Sequence, residues 1–495
     1  MRSPALRSPW RALWQRRRPH FRLALGPPSR RRQSTVHVPA AQLQFGQPIH
    51  ETHPHLLGPG ELTPGITAIE YARRRANLAS KLPEGAIAIL AAAETKYRSG
   101  AVFYPYHQDP DFFYLTGFKE PQALAVIEKT GPGGQHDFHL YVRPKDAKAE
   151  LWDGARSGIQ AAEDVFNADH AGDVAHANTT LADILSSGRE VYTDLPGSFR
   201  PSAYAKYFGA LSDLGSNGLA KLFERTRASS KPLRPILNEL RSIKSEAEIQ
   251  NMRLAGQRSG RAITDAMRKQ FRSERELDAF LDYRFKMEGC DNIAYVPVIA
   301  GGQHSLTIHY VQNDDVLNVG DLVLVDAGGE YGGYITDITR TWPVSGKFTT
   351  EQRELYEVVL RVQRTCVALC RENAFLSLDK LHKIAEEGFR DGLTQLGFDV
   401  SRNEALTTLF PHHVGHHVGL DVHDSPGMPR SAALRPGNCI TIEPGIYVPF
   451  DSRWPARFQG IGIRIEDSVC VGPEHAYVLT TEAVKEVVDI EALRE

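Results

Sequence analysis

The sequence predicts a mixed α/β protein with two folded domains. Helical and strand-like patterns alternate between about residues 66 and 230, and a helix pair followed by strands occurs twice between residues 231 and 495. The 495 residues, 41% of them hydrophobic and 24% charged, are enough for two or three full-sized cores. No run of about 18 apolar residues is present, so the sequence predicts no membrane-spanning helix.

The first 35 residues differ in composition from the rest of the chain. Residues 1–32 contain ten arginines and no lysine or acidic residue, with apolar residues such as Trp10 and Trp14 between them. This composition is typical of a mitochondrial presequence, which predicts a location in the matrix or on the matrix face of the inner membrane. A nucleic-acid-binding arm is the alternative, and the arginines leave an additional nuclear pool open. Removing ten positive charges changes the formal charge from −2 to about −12, which argues against a nucleic-acid partner for the remainder.

Residues 36–65 are rich in Pro, His and Gly and predict an extended lead-in. Residues 66–230 predict an α/β domain, with a helix from Thr67 to Leu82 and strands at 86–92, 124–128 and 138–142. The segment Phe103–Phe118 holds seven aromatic residues in sixteen. Two interpretations remain open for it: packing in the core of its own domain, or the wall of a substrate pocket or subunit contact.

Residues 231–495 predict a second domain, after a join with two prolines at about 226–241. Ser245 and Glu248 have the spacing of a capping box at the start of a helix. Further helices are predicted near 274–288, 351–372 and 378–396, and strands near 294–300, 306–310, 322–342, 439–448 and 461–471. The repeated order of helix pair and strands could place a site between two similar halves.

Two aspartates lie among apolar residues in the segment from Asp321 to Trp342. The run Leu322–Val325 has the composition of a buried strand and ends on Asp326, and Asp337 lies in a second strand-like run after two Gly-Gly pairs. We expect the two acids on adjacent antiparallel strands. Buried carboxylates are costly unless a cation or hydrogen-bond donors compensate, which favours a metal site. For this pair alone, a turn cap and a solvent-facing acid remain the alternative.

Further candidate ligands follow, again beside apolar strand residues. Glu443 comes after Thr441-Ile442, and Glu466 after Ile465. Five histidines precede them: His412, His413, His416, His417 and His423. Two Asp, two Glu and one His exceed the needs of a single ion and favour two ions that share carboxylates. The predominance of oxygen ligands favours Mn²⁺ over a structural Zn²⁺, although cobalt, iron or zinc could occupy the same ligands.

The order Asp326, Asp337, His416, Glu443 and Glu466, within DAGGEYGGYITDITRTW, HHVGHHVGLDVHD, IEPGIY and GIGIRIED, resembles the pita-bread metallopeptidases, specifically aminopeptidase P. PYHQDPDFFYLTGFKEP resembles the N-terminal domain of that family. The resemblance runs from about residue 45 to the end and implies an N-terminal α/β domain, 66–230, before a pita-bread catalytic domain, 231–495. The lead-in QPIHETHPHLLGPGELTPG resembles mitochondrial members that remove one bulky residue from imported proteins after presequence cleavage.

The resemblance implies a role for each ligand. Asp326 would bind one ion through both oxygens, Asp337 and Glu466 would bridge two ions, and His416 and Glu443 would bind the second ion. A hydroxide held between two cations would then attack the first peptide carbonyl. Glu443 would take the proton of the attacking water and pass it to the leaving nitrogen.

Other side chains match family positions around the substrate. His309 and His423 match imidazoles that contact the substrate and stabilise the tetrahedral intermediate, and His412 matches a residue on the leaving-group side. Tyr447 and Arg464 are expected to orient the carboxylates of the two glutamate ligands.

The resulting prediction is an aminopeptidase with two divalent metal ions per chain, acting on peptide or protein N-termini and forming a dimer or tetramer as its relatives do. A general Xaa-Pro aminopeptidase and a prolidase are the enzymatic alternatives, because the sequence does not show whether proline must follow the scissile bond. A non-catalytic module that binds peptides is the alternative from another class. The complete set of ligands argues against it.

Overall fold

The computed structural model describes residues 44–186, 188–195 and 230–495. The predicted presequence, 1–35, and residues 36–43 of the predicted lead-in lie outside the described residues. Residues Gln44–Glu495 form one compact unit, so the boundary expected at residue 230 stays a prediction. Among the described helices, none combines the length and the apolar composition needed to cross a membrane.

A six-stranded mixed sheet organises the N-terminal part. The described strands of this part are β1 (Glu61–Thr63), β2 (Ile66–Thr67), β3 (Ile87–Ala91), β4 (Tyr97–Ser99), β5 (Val102–Phe103), β6 (Leu124–Lys129), β7 (His136–Val142), β8 (His170–Asp173), β9 (Val191–Tyr192) and β10 (Ser230–Lys231). The sheet has the order β10-β9-β3-β6-β7-β8, in which β3, β6 and β7 run antiparallel and the outer strands add in parallel. The strands predicted for β3, β6 and β7 are therefore confirmed.

Helices pack against this sheet. The first begins as predicted, because the side chain of Thr67 accepts a hydrogen bond from the backbone of Glu70 and caps the helix. The described helices of this part are Ala68–Lys81, Pro110–Thr116, Ala147–Asp153, Gly158–Asp164 and Ala177–Ser186, with a 3₁₀ turn at Val174–His176. Tyr71 and Leu78 of the first helix are fully buried in the same hydrophobic cluster as the sheet.

The aromatic segment Phe103–Phe118 divides between the two interpretations. Phe112, Phe113 and Tyr114 lie on the short helix Pro110–Thr116 and are buried in the core. Phe103 and Tyr104 are instead 58% and 51% exposed. The aromatic residues of the helical half therefore pack in the core, whereas Phe103 and Tyr104 in the first half are exposed.

The C-terminal part repeats one arrangement. Its described strands are β11 (Asn292–Ile293), β12 (Val298–Gly301), β13 (Leu322–Asp326), β14 (Gly329–Tyr331), β15 (Tyr334–Ile335), β16 (Thr339–Pro343), β17 (Cys439–Ile442), β18 (Gly445–Tyr447), β19 (Gly462–Arg464), β20 (Asp467–Cys470) and β21 (Tyr477–Val478). Its described helices are Arg234–Ser242, Glu246–Met267, Glu274–Met287, Thr350–Ala368, Leu378–Gln395, Asn403–Leu409 and Val487–Ala492. A helix pair precedes the three-stranded sheet β12-β13-β16, and a second pair precedes β17-β20-β21.

Local sequence signals explain most of these boundaries. Ser245 and Glu248 form the predicted capping box of Glu246–Met267, and Thr349 and Gln352 form another. The proline-containing join predicted at about 226–241 includes the helix Arg234–Ser242, because Pro235 is tolerated in the first turn of a helix. The strand expected at 306–310 is absent from the described structure, where the 3₁₀ turn Gly302–Leu306 is followed by an irregular segment.

One hydrophobic cluster joins both helix pairs to the strands between them. It includes Leu277 and Phe285 from the first pair and Leu355 and Phe389 from the second, all fully buried. The loops that follow the strands are thus mounted on a rigid base.

A buried group of charges connects the N-terminal part to a loop of the C-terminal part. The Lys244 ammonium lies 2.8 Å from an oxygen of Asp424, and the Arg241 guanidinium contacts the other oxygen. Arg241 also donates to Asp111, at 2.6 Å, and to Asp421, at 2.9 Å. Burial alone would raise the pKa of Asp424, but Lys244 and Arg241 outweigh burial and hold the pKa well below its usual range. Asp424 is therefore ionised in the folded protein at any ordinary pH.

Asp424→Asn should lower the free energy of unfolding by about 3–5 kcal/mol, because it removes the buried carboxylate that Lys244 and Arg241 share. Since the pKa of Asp424 is depressed by folding, its contribution is complete above the unfolded value of about 3.9 and decreases as pH falls below that value. The variant should accordingly show a shallower loss of stability in acid, measured by urea unfolding between pH 2.5 and 7. Asp421→Asn is the control: it contacts the same arginine, but its side chain is 42% exposed, so we expect a change below about 1 kcal/mol. Equal effects from the two variants would contradict the assignment.

Candidate metal centre and active site

The first two acids lie where the strands β13 and β16 meet. Asp326 is the last residue of β13 and is paired with Thr339 of β16. Asp337 lies two residues before β16, in a segment whose backbone leaves the ladder, and its N–H donates to the Ser468 hydroxyl at 3.1 Å. The expectation that both acids lie on strands is thus correct only for Asp326. The ladder can end there because β14 and β15 form a separate hairpin, turned by Gly332 and Gly333 with φ of 61° and 86°.

The two glutamates occupy equivalent places in the second sheet. Glu443 follows β17 directly, and Glu466 lies between β19 and β20. The backbone N–H of Glu466 donates to the carbonyl of Thr339 at 3.0 Å, which ties the second sheet to the first. The N–H of Glu443 donates to the carbonyl of Val414 at 2.8 Å, which ties this acid to the histidine loop. Backbone hydrogen bonds therefore bring all four acids to one place.

His416 completes the group. Its Nε2 lies 3.5 Å from Asp337 Oδ2 and 3.4 Å from Glu443 Oε1. Ligand atoms of Asp337, His416 and Glu466 lie within 4.8 Å of one another, a spacing that one cation can bridge. Glu466 Oε1 is buried without a hydrogen-bond partner in the described residues. A buried oxygen that lacks a donor is costly, and a cation at this place would satisfy it, so the residues present fit a divalent metal.

Two side chains that sequence reasoning missed hold the acids in position. The Tyr295 hydroxyl lies 2.7 Å from Asp326 and 2.5 Å from Asp337. Thr339 donates its hydroxyl to Glu466 Oε2 at 2.6 Å. Tyr295 carried no sequence signal, because it lies in an ordinary apolar run 31 positions from Asp326.

Arg464 is fixed differently from the expectation. It was expected to orient a glutamate, but its guanidinium donates to Asp326 at 2.7 Å, to the Tyr447 hydroxyl at 2.7 Å and to the Thr339 hydroxyl at 3.1 Å. Tyr447 in turn lies 2.9 Å from His412 Nε2. A series of hydrogen bonds through Arg464 and Tyr447 therefore connects the candidate ligand Asp326 to His412, a candidate substrate-binding residue.

The electrostatics show that the acids are too close for all of them to ionise without a cation. Burial, followed by Asp337 and Glu443, raises the pKa of Glu466 well above its usual value. Burial likewise raises the pKa of Glu443 to about 7. Burial alone would lower the pKa of His416, but the acids Asp337 and Glu443 outweigh it and raise that pKa to about 9. These shifts favour the protonated forms of Glu443, Glu466 and His416, and a bound cation would favour the deprotonated forms.

His423 and His412 lie beside this cluster, and His309 lies near His423. His423 packs its ring against His416, with centroids 4.4 Å apart and planes at 83°. His412 Nδ1 lies 3.9 Å from Glu443 Oε2, and burial and Arg464 lower the pKa of His412 to about 3, so this ring is neutral. Burial is the main cause that lowers the pKa of His423, and His416 and the exposed His309 lower it further.

Comparisons with known proteins agree with this site. The model of metallopeptidase family M24 matches residues 250–473, and that of the aminopeptidase P N-terminal domain matches residues 71–192. Intermediate cleaving peptidase 55 of Saccharomyces cerevisiae is 45% identical over 451 residues, 91% of this chain and 88% of that protein. Xaa-Pro aminopeptidase 3 of Homo sapiens is 38% identical over 490 residues, 94% of each chain.

Solved structures agree as well. The crystal structure of Icp55 from Saccharomyces cerevisiae, lacking its N-terminal 58 residues, matches with a TM-score of 0.79 at 42% identity. The match covers 88% of this chain and 99% of that one. The expected α/β domain and pita-bread domain are thereby confirmed. The chain belongs to the aminopeptidase P family within metallopeptidase family M24, and it is a divalent-metal-dependent aminopeptidase.

Proposed function

We propose that this aminopeptidase removes one bulky residue from the N-termini of imported mitochondrial proteins after their presequences have been cleaved. The similarity that carries the proposal is the 45% identity to intermediate cleaving peptidase 55, over 91% of this chain. The arginine-rich, acid-free N-terminus supports a mitochondrial location. The metal-ligand cluster supports peptide hydrolysis as the chemistry.

For the cofactor, we propose two divalent ions, with Mn²⁺ as the metal. Asp326, Asp337, His416, Glu443 and Glu466 would hold them. The ligand chemistry supports this choice. Carboxylate oxygens, which make up four of the five ligands, suit Mn²⁺, whereas thiolates would select a softer metal. When bound, such ions supply a nucleophilic water at neutral pH and polarise the scissile carbonyl.

The side chains of the protein would perform the remaining work. Glu443 would accept the proton of the attacking water on its carboxylate and return it to the leaving nitrogen. His309 and His423 would donate hydrogen bonds to the oxygen that becomes negative in the transition state, a role supported by the contact between His423 and His416. His412, neutral and held by Tyr447, would contact the peptide on the leaving-group side.

A general Xaa-Pro aminopeptidase is the second candidate, and the name of the human relative, Xaa-Pro aminopeptidase 3, favours it. The two functions differ only in whether proline must follow the scissile bond. A prolidase or a peptide-binding module without catalysis has no comparable support.

For the assembly, we propose a homo-oligomer. Leu151 and Trp152 support this, because both are 81% exposed and such apolar surface favours a subunit contact.

Two substitutions test the assigned roles. Glu443→Gln should abolish turnover, because the amide can neither take up the proton nor bind metal as a carboxylate does. His423→Ala should lower kcat by roughly 10²–10³ with metal content unchanged, as expected for the loss of one transition-state donor. Steady-state kinetics and elemental analysis measure both. His413→Ala is the matched control, since it removes an exposed histidine of the same run. Near-normal turnover of either test variant would show that the role is wrong.

Metal binding should release protons. In the metal-free protein at pH 7, His416 is protonated because its pKa is raised to about 9, and burial also raises the pKa values of Glu443 and Glu466, which favours their protonated forms. Because ligands bind metal in their deprotonated forms, each chain should release about one to three protons. Calorimetric titration of the metal-free protein with Mn²⁺ in two buffers of different ionisation enthalpy measures this number. His423→Ala should release the same number, because His423 is not a proposed ligand. Identical heats in both buffers would contradict the ligand set.

Paired peptides separate the two candidate functions. Each pair has the same bulky N-terminal residue, Tyr, Leu or Phe, followed by either proline or serine. If the trimming function is correct, the serine peptides are cleaved with kcat/KM within about tenfold of the proline peptides, a difference below about 1.4 kcal/mol. Cleavage of the proline peptides alone would overturn the trimming function and identify a general Xaa-Pro aminopeptidase.

A further inference from the structure

We propose that Glu274 is a positioning residue, which holds the loop between β12 and β13 so that His309 faces the metal centre. The inference deepens the proposed function and rests on the role assigned there to His309. Nothing in the sequence marks Glu274, which is the first residue of the helix Glu274–Met287. Its importance comes from what it contacts.

The Glu274 carboxylate is fully buried and is surrounded by the loop. Each of its oxygens accepts two hydrogen bonds. The donors are the Gly301 N–H at 2.9 Å and His304 Nδ1 at 2.9 Å on Oε1, and the Tyr310 hydroxyl at 2.9 Å and the Asp315 N–H at 3.0 Å on Oε2. These donors span the loop from its beginning to beyond His309. One side chain therefore fixes the path of the whole segment.

His309 depends on this path for its position. Its side chain is exposed and makes no hydrogen bond within the described part of the chain, so its own contacts do not fix it. The next residue, Tyr310, is buried and packs in a cluster with Ala300, Leu324 and Tyr447. The Tyr310 ring also stacks on His304, with centroids 4.3 Å apart. The bond from the Tyr310 hydroxyl to Glu274 is thus the polar anchor adjacent to His309.

A second anchor closes the loop on its other side. The Asn313 side chain accepts from the Ile299 N–H at 3.0 Å and donates to the Pro297 carbonyl at 2.9 Å. Asn313 has φ of 49°, a left-handed conformation that asparagine tolerates better than most residues. His309 therefore lies in a short bridge between two fixed points.

A carboxylate is specifically required at position 274. One backbone N–H points at each oxygen, from Gly301 and from Asp315. In Glu274→Gln, whichever way the amide is turned, its NH₂ group meets one of these N–H donors. A backbone N–H can only donate, so the N–H that faces the NH₂ group loses its acceptor, and the loop must move at that end. Such a movement would displace His309, and a shift of about 1 Å can cost about 10²-fold in rate.

The test is a double-mutant cycle between the anchor and His309. Glu274→Gln and the milder Tyr310→Phe are each made alone and together with His309→Ala, and kcat, KM and metal content are measured with a cleavable peptide. We expect Glu274→Gln to lower kcat by about 10–10²-fold and Tyr310→Phe by about 3–10-fold, with KM changed less than threefold and metal retained. In the His309→Ala background, either change should lower kcat by less than twofold. Tyr310→Phe keeps the test valid if Glu274→Gln does not fold.

A purely structural brace predicts another result. Glu274→Gln and Tyr310→Phe would then cause the same fold-loss with and without His309, and this additivity would overturn the proposal. Tyr71→Phe is the matched control, because it also removes a buried tyrosine hydroxyl, bonded to Thr63 at 2.7 Å, but within the N-terminal core. It should lower the Tm without changing kcat. Near-normal kcat in His309→Ala would overturn the positioning role of Glu274 together with the role of His309. If the unsubstituted protein showed no metal-dependent cleavage, the proposed function itself would be overturned.

Discussion

The structure depends on one unfavourable arrangement: four carboxylates and an imidazole, each buried or partly buried, lie together near the ends of strands. Their desolvation, followed by their mutual repulsion, raises the pKa values of Asp326, Glu443 and Glu466. Arg464, Tyr295 and Thr339 offset part of this cost through hydrogen bonds to three of the acids. One oxygen of Glu466 has no hydrogen-bond partner among the residues that the structure describes. A cation bound among these acids would therefore offset the part of the cost that the hydrogen bonds do not.

The repeated architecture explains how such an arrangement can be held in place. Each half supplies a helix pair, a three-stranded sheet and two acids near strand ends, and the halves are joined at the site by the bond from Glu466 N–H to the Thr339 carbonyl. The cluster with Leu277 and Leu355 supports both halves on one hydrophobic base. Because cores of this density resist deformation, the acids cannot relieve their repulsion by moving apart. Rigidity here serves to keep an electrostatically unfavourable site intact.

The sequence was sufficient for features set by local pattern. The strand that ends on Asp326, the capping box at Ser245 and the order of the candidate ligands all lie in short runs whose periodicity and composition are informative. It was insufficient for partners set by tertiary contact. Thr339 meets Glu466 across 127 positions, and Asp337 leaves its strand because Ser468 binds its N–H across 131 positions. No local pattern records such pairs, which is also why the partner of Arg464 was assigned to the wrong acid.

Two of the reactive histidines share one design. His309 and His423, which are proposed to contact the substrate, are both exposed, and neither side chain makes a hydrogen bond within the described residues. In each case the next residue provides the fixation: Tyr310 bonds to buried Glu274, and Asp424 bonds to buried Lys244 and Arg241. The anchor of His423 also binds Asp111 of the N-terminal part through Arg241. The placement of His423 is consequently coupled to the docking of the N-terminal part, whereas the anchors that the described structure gives His309 lie in the C-terminal part. A disturbance of the interface between the parts should therefore affect the two histidines unequally.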